Sequence, residues 1–163
     1  MLVNSAGFGK SGAVTELAKE EFRAQPDMVD LICRALTRMT LLCLPYMKKE
    51  SRIVNLASAA AFCPQPLFAV YAATKSYVLS FSRALGAELA YRGIRVTAVC
   101  PGPVDTEFFD VSGKLENPLK KLTMAQAPKV VHRALKDSRA GKAVSIYGVP
   151  MKAAYLGAKL VPH

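Results

Sequence analysis

The chain's apolar positions fall into two alternating patterns. Short runs that are apolar throughout and rich in β-branched residues lie at 1–4 (MLVN), 52–57 (RIVNLA) and within 94–104 (IRVTAVCPGPV), where Pro101-Gly102-Pro103 is expected to stop the strand. They are short for helices and do not alternate with polar residues, the pattern of strands buried on both faces. KAVSIYG at 142–148 predicts one more short strand. Between these runs the period is helical. Over 15–49, Leu17, Leu31, Leu36, Met39, Leu42 and Met47 predict one apolar stripe. Pro26 divides that stretch, because proline suits a first helical turn. Residues 68–93 predict a long helix closed by Gly93. Further helices are predicted over 125–137 and 151–160, and a loop over 5–12. Strands that alternate with helices and are apolar on both faces predict a doubly wound α/β fold with a parallel sheet. Ligands in such folds bind at the carboxyl ends of the strands. Here those ends are the loops at 4–9, 58–66 and 101–106.

Composition narrows the class. The chain has 163 residues, 52% of them apolar and 21% charged. That predicts one globular domain over 1–163. The densest apolar run, TLLCLPYM, contains Pro45 and is shorter than a membrane span. Asn4, Lys10 and several glycines stand where a secretory leader needs an apolar core, so the expected location is cytoplasmic. Cys33, Cys43, Cys63 and Cys100 are widely spaced, with no C-x-x-C pair, and are expected to be buried reduced thiols. His132 and His163 are too few and too far apart for a metal site, so none is predicted. The net charge of +10 comes from scattered basic residues without interleaved aromatics. That distribution argues against a nucleic-acid partner and suits a polyanionic cofactor or a thioester substrate.

Candidate chemistry begins at Gly7, Gly9 and Gly12, which spell G-x-G-x-x-G after a strand. A dinucleotide fingerprint needs a second strand soon after its helix, within a compact β-α-β unit. Here a long helical stretch follows, with Asp27 and Asp30 inside it. The P-loop pattern fails too, because the residue five before Gly9 is Asn4. The stronger signal is Tyr71-Ala-Ala-Thr-Lys75, which places a phenol and an ammonium one helical turn apart on one face. A nearby cation is expected to lower the phenol's pKa toward the range useful for proton transfer. The pattern alone is weak, since Tyr155 and Lys159 repeat it. Only the first copy has a hydroxyl at the preceding strand end: Ser58 lies thirteen residues before Tyr71, whereas Lys142 lies thirteen before Tyr155.

Four segments, in order and over nearly the whole chain, resemble the short-chain dehydrogenases/reductases. LVNSAGFG is similar to that family's N-N-A-G loop, with Ser5 in place of the second Asn. SRIVNLASAAAF resembles the strand that delivers the catalytic serine. YAATKSYVLSFSRAL resembles the active-site helix, and VTAVCPGPVDTEFF the P-G loop over the nicotinamide. The last two, with the tail GVPMKAAYLGAKLVP, look most like acyl and ketosteroid reductases that usually use NADP. The resemblance implies hydride transfer between NADP (or NAD) and a carbonyl or alcohol substrate, by a homo-oligomer, dimer or tetramer. It implies Tyr71 as general acid/base. Lys75 lowers its pKa and bonds the nicotinamide ribose, and Ser58 orients the substrate oxygen. Asn4, Ala6 and Gly7 line the adenosine side of the cofactor. Pro101, Gly102, Val104 and Thr106 contact the nicotinamide end. Phe62 and Phe108 are candidates for the substrate wall.

Two departures qualify that implication. Family members carry a β-α-β-α unit, with the glycine-rich pyrophosphate loop, ahead of the segment matching LVN. This chain is therefore expected to form a partial Rossmann-like sheet, truncated at its start, that binds cofactor weakly. The alternative is a non-catalytic fragment acting as an interaction or assembly module. The asparagine of the family's L-N-x-x-A-L-T pattern falls on Ile32. Isoleucine has no donor or acceptor with which to hold a relay water.

Overall fold

The computed structural model describes residues 1–63, 65–112 and 124–160; the predicted residue His163 lies outside them. Four parallel strands form the main sheet in the order β1 (Leu2–Asn4), β2 (Arg52–Leu56), β3 (Arg95–Val99) and β6 (Val144–Ser145). A separate two-stranded parallel pair joins β4 (Val104–Asp105) to β5 (Ala125–Gln126). The α/β class and the parallel sheet are as the apolar runs predict. Within 94–104 the strand stops ahead of Pro101, as expected. Pro101 cannot donate to a sheet ladder, so β3 ends before it and Val104 starts the small second sheet.

Register is fixed where polar residues interrupt the apolar strands. Asn4 pairs with Asn55 across β1 and β2. The Asn4 Nδ2 donates to Asn55 Oδ1 at 2.8 Å and to Thr40 Oγ1 at 3.2 Å, and the Asn55 Nδ2 donates to Ser82 Oγ at 2.9 Å. A slip of one residue would turn these groups toward the apolar side of the sheet and leave them unpaired.

The helical stretch after β1 is segmented. It contains α1 (Val14–Glu20), α2 (Ala24–Val29), a π-helical turn (Asp30–Ala35) and α3 (Leu36–Cys43). Pro26 lies in the first turn of α2, as expected. The predicted stripe needs correction: Leu17 and Leu36 are buried, but Met39 is 47% and Leu42 63% exposed. The buried positions are Met28, Ile32, Leu36 and Thr40. A spacing of four drifts by about 40° per step around an α-helix. The wider π turn opposes that drift and keeps all four facing inward.

The long helix α4 (Ala69–Leu89) continues as a short 3₁₀ turn to Gly93, whose left-handed φ of 67° ends it as predicted. Helices α2, α3 and α4 cover one face of the sheet, with Met28, Ile32, Val78 and Leu79 packed on Ala98 and Cys100. On the other face α6 (Ala127–Arg139) sets Ala134 against Val54 and Val99. The short α5 (Phe108–Ser112) and the final α7 (Val149–Leu160) lie near the strand ends. The predicted helix at 125–137 thus starts two residues later, because Ala125 and Gln126 pair with β4. All four cysteines are free; Cys100 is buried and the other three are half-buried, short of the full burial expected. Among the described residues no helix is long and apolar enough to cross a membrane, and no His, Cys, Asp and Glu cluster could hold a metal.

Candidate active site

The carboxyl end of β2 runs into Ser58, which is extended and caps the 3₁₀ turn Ala59–Ala61. Its Oγ accepts the Ala60 N–H at 3.2 Å. The Ala59 N–H donates to the Pro101 carbonyl at 2.8 Å, so the loops after β2 and β3 are held together. Tyr71 lies in the first turn of α4, and its hydroxyl hydrogen-bonds the Ser58 side chain. Lys75, one turn on, points the same way. Its Nζ lies 5.6 Å from the Tyr71 ring centroid and donates to the Leu56 carbonyl at 2.7 Å. The three residues singled out in the sequence therefore meet at one strand end.

The electrostatics differ from the expectation. Burial pushes the Tyr71 phenol up to about 12, and the bond to Ser58 offsets only part of that. Lys75 does not pull it down, because the same burial acts on the ammonium and lowers it to about 8. Burial likewise raises the neighbouring thiols Cys33 and Cys100, the latter to about 12, so they stay protonated and give Lys75 no counter-charge at neutral pH.

Tyr71 is also gripped by aromatic rings. Phe68 lies 4.4 Å and Phe108 5.5 Å from it, centroid to centroid. Both rings close over Gly9: a Cβ there would lie 2.7 Å from the Cζ of each. The middle glycine of the G-x-G-x-x-G pattern is thus required by ring packing. Two of the loop's backbone donors are also spent, with Ser11 N–H on the Ser112 carbonyl at 3.1 Å and Gly12 N–H on the Leu67 carbonyl at 2.8 Å. Neither is free to cradle a phosphate.

A cavity of about 520 Å³ opens on the triad, within the usual range for small-molecule sites. Pro101, Gly102, Val104 and Thr106 line it beside Ser58, Tyr71 and Lys75, and so does Gly7, expected on the adenosine side. Asn4 and Ala6 do not line it; the Asn4 side chain is committed to Thr40 and Asn55. Phe108 lines it, but Phe62 does not and instead packs edge-on against Tyr155 at 5.0 Å. Tyr155 of the second Tyr-x-x-x-Lys copy thus packs on that ring, and the Lys159 side chain lies outside the described set. Sequence reasoning missed Phe68, Phe109 and Met151 in the wall. Phe68 stands three residues before Tyr71, a spacing that could have found it. The nicotinamide end of a dinucleotide fits the chemistry of this cavity, since Lys75 is a cationic donor in its lining and Gly7 adds no side chain beside it, where a Cβ would lie 3.6 Å from the Lys75 Nζ. A Cβ at Gly102 would lie 2.6 Å from the Met151 sulfur, so glycine there makes room for Met151.

A family model described as short chain dehydrogenase matches residues 1–116. Among curated proteins, an uncharacterised oxidoreductase of Staphylococcus epidermidis is 37% identical over 108 residues, covering 65% of this chain and 46% of its own length. A solved short-chain dehydrogenase from Sphingobium yanoikuyae, in complex with NADPH, superposes with a TM-score of 0.78 at 28% identity. The overlay covers 98% of this chain and 62% of that one. A 3-ketoacyl-(acyl-carrier-protein) reductase from Brucella melitensis, complexed with NADH, gives 0.76 at 27% identity, over 91% and 64%. This chain thus spans about half the length of the curated relative and under two thirds of the solved structures.

Proposed function

The chain belongs to the short chain dehydrogenase family, and we propose that residues 1–163 form the catalytic part of an NAD(P)-dependent reductase of ketones. The observation that carries this reading is the convergence of Ser58, Tyr71 and Lys75 at the mouth of one cavity. When bound, the nicotinamide supplies a hydride to the carbonyl carbon and is left oxidised. The chain's own residues handle the oxygen. Ser58 donates a hydrogen bond that holds it, and Tyr71 gives it a proton, so that ketone becomes alcohol. Burial keeps the phenol protonated at neutral pH, the form that reduction needs. Lys75 lies where it supports the phenolate left behind, until Tyr71 regains a proton from solvent. Gly7, Pro101, Gly102, Val104 and Thr106 would border the nicotinamide. NADPH is the cofactor that the resemblance favours, and NADH fits the reading as well. Assembly as a dimer or tetramer is proposed with it; the exposed Leu41, Leu42 and Tyr46 would be covered there, and light scattering tests it.

The test is titration of NADPH and NADH by nicotinamide fluorescence, followed by turnover of a ketone panel. Cofactor binding and turnover are expected, with Tyr71→Phe losing about 10²–10⁴-fold in rate at unchanged cofactor affinity. Binding of neither cofactor, or equal rates for Tyr71→Phe and the parent, would sink the reading.

A further inference from the structure

The wall of the cavity speaks to what enters it. We infer that the substrate is a neutral, largely apolar ketone with a ring or branched hydrocarbon body, and not a keto acid or a sugar. This rests on the reading of the triad as a ketone-reducing site. Around the triad the lining includes Phe68 and Phe108, packed on Tyr71 itself, together with Phe109, Val130, Val131 and Met151. Among the described lining residues Lys75 alone carries a charge. Its ammonium is buried beneath the triad and bonded to the Leu56 carbonyl, not aimed at the far wall. The Thr106 hydroxyl is engaged as well, donating to the Val104 carbonyl and accepting the Phe108 N–H, each at 3.4 Å.

A carboxylate on the body of the substrate would give up water for phenyl rings, and among the described lining residues only the buried Lys75 is cationic. Sugar hydroxyls would lose water partners in the same way wherever they met the phenyl rings. A hydrocarbon body loses nothing on entry and gains contact with three rings. Phe109 stands edge-on to Phe108 at 5.6 Å and 87°, which leaves a ring edge and a ring face available to a flat guest.

The test compares benzylacetone with levulinate, which share a methyl-ketone end and differ in carrying a phenyl or a carboxylate, and adds fructose as the polyol. Turnover with the preferred nicotinamide is read as kcat/KM, and binding to Tyr71→Phe is read by thermal shift, so that affinity is seen without chemistry. Benzylacetone is expected to exceed levulinate and fructose by about 10²-fold. Phe109→Lys, which puts an ammonium in the wall, is expected to shrink the benzylacetone-to-levulinate ratio at least tenfold. If levulinate or fructose is turned over as well as benzylacetone, the inference is overturned while the ketone-reductase reading stands. If no ketone is bound or reduced, that reading fails and the inference goes with it.

Discussion

Among the described residues, Lys75 and Asp137 are the charged side chains that the fold buries, at 4% and 2% exposure. Asp137, on α6, is surrounded by donors. Arg133 Nε lies 2.7 Å and Ser145 Oγ 2.9 Å from its Oδ2, and Lys142 Nζ lies 3.0 Å from its Oδ1. Burial pushes that carboxyl up, but the three hydrogen bonds and the Arg133 charge outweigh it and hold it below 3.8. Lys75 has one backbone carbonyl and no carboxylate within reach among the described residues. Burial therefore prevails and its proton is held loosely. A compensated charge serves structure: it ties α6 to β6 at the edge of the sheet. An uncompensated one costs stability, and such a cost is tolerated where it does chemistry. The contrast supports the proposed role of Lys75 independently of its place in a motif.

The largest expected effect comes from removing the uncompensated charge. Lys75→Met should lower ketone reduction by at least about 10²-fold, yet raise stability at pH 7. The depressed ammonium bounds that gain at about 3 kcal/mol, and the stranded Leu56 carbonyl reduces it to ~1–2 kcal/mol. The sign with pH follows. A lysine with a folded value near 8 and an ordinary value of 10.5 carries its full penalty below pH 8 and sheds it as pH rises toward 10.5. The parent should therefore gain stability over the variant's profile from pH 8 upward. Above about pH 10 Tyr71, raised to about 12, works the other way, since it ionises more easily when unfolded. Urea midpoints across this range measure both trends. A Lys75→Met protein that is less stable than the parent at pH 7 would break the comparison.

Asp137→Ala should do the reverse. Ser145 loses its acceptor under cover, while Arg133 and Lys142 can turn to solvent, so a loss of ~2 kcal/mol is expected. Activity per folded molecule should not change. In the parent, the contribution of Asp137 is present above pH 3.8 and fades as pH falls through the lower folded value. The parent should thus lose its advantage over Asp137→Ala in acid, the mirror image of Lys75 in base. A variant whose stability gap is constant down to pH 2 would contradict this account of the cluster.

How far the sequence foretold these sites depended on range. The strands at 52–57 and around 95–99 and the α4 helix were legible, because local apolar runs and Gly93 encode them. Ser58, Tyr71 and Lys75 were legible because one strand end and one helical turn suffice to bring them together. The state of their protons was not, since it depends on burial by Ile32, Met28 and Cys100 from distant segments. Gly9 looked like half of a phosphate loop; only the rings of Phe68 and Phe108, fifty-nine and ninety-nine residues away in the chain, explain it. The Asp137 cluster was invisible as well. Its i,i+4 partner Arg133 follows from helix spacing, but Ser145 arrives through a strand predicted without a facing.

The smallest test isolates that last contact. Ser145→Ala removes one neutral donor from Asp137 and leaves both cations in place, so the carboxylate remains charged and paired. A net loss of about 1 kcal/mol is expected, roughly half that of Asp137→Ala, with the acid-side slope preserved because Arg133 and Lys142 still hold the carboxyl down. In the double variant Ser145→Ala/Asp137→Ala no donor is stranded, and the two losses should not add. Additive losses in a denaturation cycle would mean that Ser145 and Asp137 stabilise the fold separately. The buried carboxylate would then be no better compensated by its strand than Lys75 is by its one carbonyl.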